Sequence, residues 1–397
     1  MIRFLKKIFR LFRDNLNSFF IKRKIIYKIK KNNFKFNEFN FFDYKSKLIK
    51  FIHSNKFKQN NYLYKYAASC EKPTLYASAY AVMTLSLLDE VKDLSLTAKD
   101  EWRNYFDSFQ NESDGLFYDP VVLNDFYNDS DWWGARHLAL HMISAYTDLG
   151  YRPRYPFVFL EKYYDSNFIQ DWLDQFDWQS ASIGSEDIDN KIMNIGCLLQ
   201  YQRDWWDDVK AGQAVEFIKK YLRSKINAHT GMWGYFDSEN PHQKSRQVQF
   251  AYHLFQLYFY DNDYDFDSER IINLTLQTKN TLNGFGVKIN SSACEDIDSI
   301  DTLIRFHNNV SFELQIKIRE TLEKSFGWIL TNQVNDGGFV FRLEEPFVYG
   351  SIETSSTKNE GAMLPTWFRT LSIAYLANYL NVKNNFHINN CPGYEFR

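Results

Sequence analysis

The sequence predicts an all-α fold: an (α/α)6 toroid of six helix pairs, preceded by a basic amphipathic N-terminal helix. Six long, mostly apolar segments begin near Thr74, Asp131, Glu186, Ser245, Glu295 and Ala362, spaced 50 to 67 residues apart. Amphipathic stretches alternate with them, near 43–55, 97–110, 157–174, 207–225, 266–279 and 312–332. Three of the turns after these stretches share an Asn/Asp-rich run, a Gly, one residue and an aromatic. A helix apolar almost all round is buried, and one with a charged face is half exposed. The apolar six therefore form an inner ring and the amphipathic six an outer ring. A helix-pair period near 58 residues exceeds the roughly 34–47 of open helical solenoids.

The chain has 397 residues, of which 45% are apolar and 24% charged, as in a globular protein. No run of 18 apolar residues suggests a membrane span. Residues 1–36 hold 12 Lys or Arg and one acid, whereas the rest carries 35 bases against 48 acids. So acidic a body repels phosphates, which argues against a nucleic-acid partner. Domain bounds follow from the charge: a basic arm over 1–36 and one toroid domain over 37–397.

Within the arm, Ile2, Leu5, Phe9, Phe12, Leu16 and Phe19 recur at helical spacing, flanked by Arg3, Lys6, Lys7, Arg10 and Arg13. Such a helix suits an anionic lipid surface, or packs its apolar face on the body. Lys22 to Phe42 reads as a linker. The break-up of residues 1–30 by charges argues against a signal peptide. Cys70, Cys197, Cys294 and Cys391 lie far apart, with no CxxC or Cys/His cluster. They read as reduced thiols, and the protein as cytoplasmic or peripheral at the inner membrane.

The inner segments follow in order. The first, from Thr74, is apolar throughout. The second opens Asp131-Trp132-Trp133, with Asp131 as N-cap, and continues through Arg136, His137 and His141. His137 and His141, four apart, share a face and suit a metal, an acid/base pair or a satisfied polar core. The third opens Glu186-Asp187-Ile188-Asp189. The fourth opens at Ser245-Arg246 and includes Gln249. The fifth reads Cys294-Glu295-Asp296-Ile297-Asp298-Ser299-Ile300-Asp301. Crowding of Glu295, Asp296, Asp298 and Asp301 raises the pKa of at least one, or binds a cation. A raised pKa suits a general acid, whereas acids at a helix start also simply complement the macrodipole. The sixth carries Trp367 and Arg369. Arginines there could clamp an anion or pair with the acids. No convincing β-run interrupts the pattern. No P-loop, dinucleotide fingerprint, HExxH or GxSxG elbow is present.

In the turns, Gly115, Gly231 and Gly337 suit positive φ. Phe117, Trp233 and Phe339 would pack back between helix pairs, with a shorter echo, NGFGV, at 283–287. Trp328-Ile329, Gln333, Gly337 and Phe339 resemble the QW motif of squalene and terpene cyclases. Phe106, Gln110, Gly115 and Phe117 repeat it, and Tyr221-Leu222 with Gly231 and Trp233 does so with Ile226 in the Gln place. The DGGF turn also resembles protein prenyltransferase β subunits.

The resemblance to this superfamily covers roughly residues 43–382. Asp296-Ile297-Asp298-Ser299 matches the DxDD of its class II cyclases in three of four places, with Asp298 at the proton donor and Ser299 replacing the last Asp. The resemblance implies an isoprenoid or lipid-linked substrate in a central cavity, with Asp298, Asp296, Asp301 and Glu295 as catalytic acids. It leaves the metal unknown, a divalent cation being one cofactor the cluster could hold. Asp187, Asp189, Trp132, Trp133, Arg136, His137, His141, Gln249, Trp367 and Arg369 are the candidate substrate-binding residues. Two other classes stay open: a glycan-processing toroid (lyase or glycoside hydrolase), and a non-catalytic toroid that binds lipid or a partner.

Overall fold

The computed structural model describes residues 19–32, 34–58, 60–126, 133–179, 187–237, 239–286 and 289–396. Residues 1–16 of the basic stripe, Asp131, Trp132 and Glu186 lie outside them.

After helical residues 19–32, twelve α-helices follow among the described residues. The outer ones are α1 (Phe41–Ser54), α3 (Leu96–Asp107), α5 (Ser166–Asp174), α7 (Val209–Ser224), α9 (Ser268–Gln277) and α11 (Phe312–Thr331). The inner ones are α2 (Leu75–Leu87), α4 (Ala135–Leu149), α6 (Ile188–Trp206), α8 (Pro241–Phe259), α10 (Ala293–Phe306) and α12 (Met363–Tyr379). Each inner helix packs on the next, and α12 returns to α2, closing the ring. The fold is therefore an all-α toroid.

Burial sorts the helices as hydropathy did. All thirteen residues of α2 are buried, while α1 buries Phe41, Tyr44, Leu48, Phe51 and Ile52 and exposes its other face. Short polar side chains fix most starts. Asn40, Thr74, Ser95, Asp165, Asp208, Asn240 and Asp267 each accept a backbone N–H of the first turn. At α10, Ser292 and Glu295 form a reciprocal capping box.

The turns after α3, α7, α9 and α11 repeat one geometry. Bridges join Gln110 to Phe117, Ile226 to Trp233, Lys279 to Phe285 and Gln333 to Phe339, and all four aromatics are fully buried. Gly115, Gly231 and Gly337 have φ of 80°, 70° and 96°. The Gln110 and Gln333 amides donate to the Gly115 and Gly337 carbonyls, each at 2.9 Å. The Trp233 indole donates to the Leu222 carbonyl of α7 at 2.7 Å, whereas Phe117 meets Tyr146 of α4 and Phe339 meets Tyr44 of α1.

Four sequence expectations need correction. Residues 22–32 are helical, not a linker, because Ile21, Ile25 and Ile29, four apart, pack on the body. The fourth inner helix starts at Pro241, not Ser245, because Asn240 caps it and Pro241 suits its first position. Gly134, not Asp131, stands at the N-cap of α4. An antiparallel hairpin, β1 (Phe347–Tyr349) and β2 (Ser351–Ser356), interrupts the helices before α12. Gly350 turns it at φ 78°, pressed against the Trp133 ring, where a Cβ would lie 2.2 Å from ring carbon.

The segment after α12 closes one end of the ring. Its His387 N–H donates to the Leu87 carbonyl at the end of α2 (3.0 Å), and Arg305 near the end of α10 donates to the Phe396 carbonyl (2.9 Å). Tyr394, Glu395 and Phe396 are buried. The opposite end, where the inner helices begin, holds the acid cluster.

Candidate active site

Four acids open or follow the start of α10, and their surroundings separate them. Glu295 accepts the Ser292 N–H at 2.7 Å and pairs with Arg342 at 2.8 Å, so it caps the helix. Asp296 is buried under four donors: Phe285 N–H (3.0 Å), Ser291 hydroxyl (2.8 Å), Trp328 indole (2.9 Å) and Arg369 guanidinium (2.9 Å). Burial raises its carboxyl from the ordinary range, and Arg369 with the other donors opposes that. Asp296 thus pins the turn at Phe285, α11 and α12 together. Asp301 takes Arg305 at 2.9 Å and the Tyr252 hydroxyl at 3.2 Å.

Asp298 differs. It is 1% exposed, and neither carboxyl oxygen has a hydrogen-bond partner at bonding geometry among the described residues. Burial pushes its carboxyl well above the usual carboxylate range; Arg246 opposes this, the charges of Asp189 and Glu295 add to it, and the Gln249 amide opposes it. Burial therefore favours the protonated form of this carboxyl. Tyr252 and Tyr394 are near enough to feel its charge.

Across the ring, Asp189 in the first turn of α6 is fully buried. Both its oxygens meet the Arg246 guanidinium, at 2.9 and 2.7 Å, and His253 Nδ1 lies 2.7 Å from Oδ2. Burial would raise its carboxyl, but Arg246 and His253 outweigh it and hold it near 2. Asp189 is therefore an ionised anchor. Asp187, at φ 52°, stands 3.8 Å from Arg246. Gln249 is half-buried on α8, one turn from both Arg246 and His253.

On α4, the two histidines meet at 3.1 Å, Nε2 to Nε2. The Tyr76 hydroxyl lies 2.9 Å from His137 Nδ1, and the Tyr349 hydroxyl, from the hairpin, 2.7 Å from its Nε2. Burial lowers both histidines, His141 to about 3 and His137 well below its usual value, so both are neutral imidazoles. Trp133 stacks on Tyr76 at 5.3 Å, and Tyr394 stacks on His141 at 6.1 Å. Arg136 lies 5.9 Å over the Phe159 ring, turned from this cluster toward the α5 side. Trp367 is fully buried, stacks on Tyr80 at 5.5 Å and donates its indole N–H to Glu395. Arg369 serves Asp296 and the carbonyls of Val340 and Phe341 (3.0 and 2.9 Å).

Asp298, His137, His141, Asp189 and Gln249 thus come from four inner helices, while Asp296, Asp301, Glu295, Arg369 and Trp367 are occupied in holding the frame. Tyr76, Tyr252, His253, Tyr349 and Tyr394 were not singled out from sequence. Tyr76 and His253 sit on inner helices whose burial was legible. Tyr349 and Tyr394 reach the centre from irregular segments that carry no periodicity. Among the described residues, no three His, Cys, Asp or Glu side chains converge to hold a metal ion, and no helix is long and apolar enough to cross a membrane. The four cysteines are free thiols.

No family model matches the chain, and no curated protein matches it. Solved structures do. A polysaccharide lyase is 12% identical, with 86% of this chain and 97% of that one covered and a TM-score of 0.47. A GH76 α-mannanase from Bacteroides thetaiotaomicron is 10% identical, over 87% and 95%, with a TM-score of 0.43. An ent-copalyl diphosphate synthase from Streptomyces platensis is 11% identical, over 78% of this chain and 50% of that one, with a TM-score of 0.41. The chain spans about half the length of that synthase.

Proposed function

We propose that the protein is an acid–base enzyme in which Asp298 donates a proton at the centre of the toroid, to an isoprenoid or lipid-linked substrate. One observation carries this reading: each other acid of the cluster is tied to an arginine, whereas Asp298 is buried with neither oxygen in a hydrogen bond of good geometry among the described residues, and only the Arg246 charge and the Gln249 amide oppose its raised pKa. A carboxyl that burial keeps protonated above the usual carboxylate range can serve as a general acid. The Tyr252 and Tyr394 rings near it, with the Trp367–Tyr80 stack beyond Tyr394, would suit a substrate that becomes cationic once protonated. The DxDD-like placing of Asp298 supports the same assignment, and Asp296 with Arg369 would hold its helix start in position. Residues 1–30 would bring the protein to a membrane surface, where such a substrate dissolves, as a cytoplasmic, peripheral protein of two parts, 1–36 and 37–397.

The test is turnover of isoprenoid diphosphates and lipid-linked substrates by wild type and Asp298→Asn. A loss of roughly 10²–10⁴ fits removal of a general acid; unchanged turnover sinks the assignment. A second reading, glycan processing, is favoured by the His137 contacts to two tyrosine hydroxyls, which suit proton abstraction from a sugar ring. It predicts turnover of acidic oligosaccharides that Tyr349→Phe abolishes. A non-catalytic toroid would keep its function when Asp298 is neutralised.

A further inference from the structure

The helix over residues 19–32 has two faces. Ile21, Ile25 and Ile29 pack on the body. Outward stand Phe19, Phe20 and Tyr27, 52%, 56% and 68% exposed, with Lys22, Arg23, Lys30 and Lys31 exposed beside them. Exposed aromatics interleaved with cations match the interfacial layer of an anionic bilayer, where rings enter the headgroup zone and cations meet phosphate.

Behind that face lies a cavity of about 560 Å³ between the helix, α1 and the turn after α11. Lys28, Lys31, Lys47 and Lys50 line it, with Tyr27 and Phe34 at its edge. Lys28 Nζ is held by the Gln333 carbonyl at 2.9 Å, and Lys47 shares Asp43 at 2.7 Å. The acid in its wall, Asp336, is engaged by the N–H groups of Gly338 and Gly361, each at 2.8 Å. Four lysines from two elements therefore line one cavity, on a body that is otherwise acidic.

We propose that this cavity seats the phosphate headgroup of an anionic membrane lipid while Phe19, Phe20, Tyr27 and Phe34 enter the interfacial layer. The inference deepens the reading above and rests on it only for the reason the toroid would work at a membrane. Lys47 and Lys50 are the informative pair, because they lie on α1 and not on the basic arm.

The experiment is co-sedimentation of the full chain with vesicles of phosphatidylcholine alone, or with a third phosphatidylglycerol. The chain should partition onto the anionic vesicles only. Each lysine near such a surface contributes roughly fivefold, so Lys47→Gln with Lys50→Gln should lower partitioning roughly 25-fold. Both side chains are exposed, so thermal melting should be unchanged. Phe20→Ser with Tyr27→Ser should weaken binding as well. Unaltered partitioning of the lysine variant overturns the proposal, leaving residues 1–18 as the source of any binding. So does equal binding to uncharged vesicles. Displacement by inorganic phosphate at fixed ionic strength would make the ligand a free phosphate instead. Asp298→Asn should bind vesicles like wild type. Lost vesicle binding with an intact Asp298 dependence of turnover refutes this inference alone, and the converse refutes the catalytic reading alone.

Discussion

Replacing Asp298 by Asn removes one titrating proton from the centre of the toroid and keeps the side chain's shape. In the unfolded chain the carboxyl titrates near ~3.9. In the folded protein burial holds it well above that. Between the two pKa values the folded state keeps a proton that the unfolded state has lost. Stability contributed by the neutral acid is therefore complete below the unfolded pKa and falls as pH rises toward the folded one. One proton gives a slope of about 1.4 kcal/mol per pH unit. Asn has no such slope. The other buried acids are present in both proteins, so their titrations largely cancel in the difference. Guanidinium unfolding at intervals from pH 5 to 8 should show Asp298→Asn gaining on wild type by about 1.4 kcal/mol per unit, until the wild-type carboxyl ionises. The variant would be more stable near neutrality and less active. Parallel stability curves over that range would mean that Asp298 titrates like a hydrated carboxyl, and would refute its role as a held proton.

Other outcomes follow from the same geometry. Arg246→Met leaves the buried Asp189 charge with His253 alone, so it should destabilise by roughly 3–5 kcal/mol in chemical denaturation. In wild type, the Asp189 contribution is present above about pH 4 and lost as pH falls toward about 2, which Asp189→Asn would abolish. Burial lifts Asp148 to about 8, with one oxygen bound to Ser86 and Asn389 and the other unpartnered. Its stabilising effect is complete below about pH 4 and is lost as pH rises toward about 8, so Asp148→Asn should lose melting temperature less steeply than wild type between about pH 5 and 8. Gly337→Ala sets a Cβ 2.5 Å from the Lys47 carbonyl at φ 96°, so it should lower stability by more than about 1 kcal/mol. Gly350→Ala, at φ 78° with its Cβ 2.2 Å from the Trp133 ring, should drive the hairpin off Trp133 and lower both melting temperature and turnover through Tyr349.

Hydropathy alone made the rings legible. The apolar run from Leu75 to Leu87 is buried on every side, and Phe312 to Thr331 shows one wet face, as its charges require. The repeated Gly-x-aromatic turns were legible because positive φ restricts their residues. Asp298 stood out by crowding, but its isolation did not: only the fold shows that Arg305, Arg342 and Arg369 each take a different neighbour. Asp189 ends the same Glu-Asp-Ile-Asp run (186–189) that Asp298 ends at 295–298, whereas Arg246 makes it an anchor. The hairpin was missed because Phe347–Tyr349 is three residues long, too short for an alternating pattern. Tyr394 was missed because a tail that fills a ring obeys no periodicity, only the space left for it.

In the proposed function a buried acid acts on an apolar substrate inside the ring. Mass spectrometry of organic extracts from purified Asp298→Asn and wild type tests it most directly. A disabled enzyme that still folds should retain its substrate, so a polyprenyl or other isoprenoid mass is expected in the variant and its product in wild type. The same masses in both proteins would contradict the role of Asp298. No apolar ligand in either would contradict the substrate class and turn the site toward sugars.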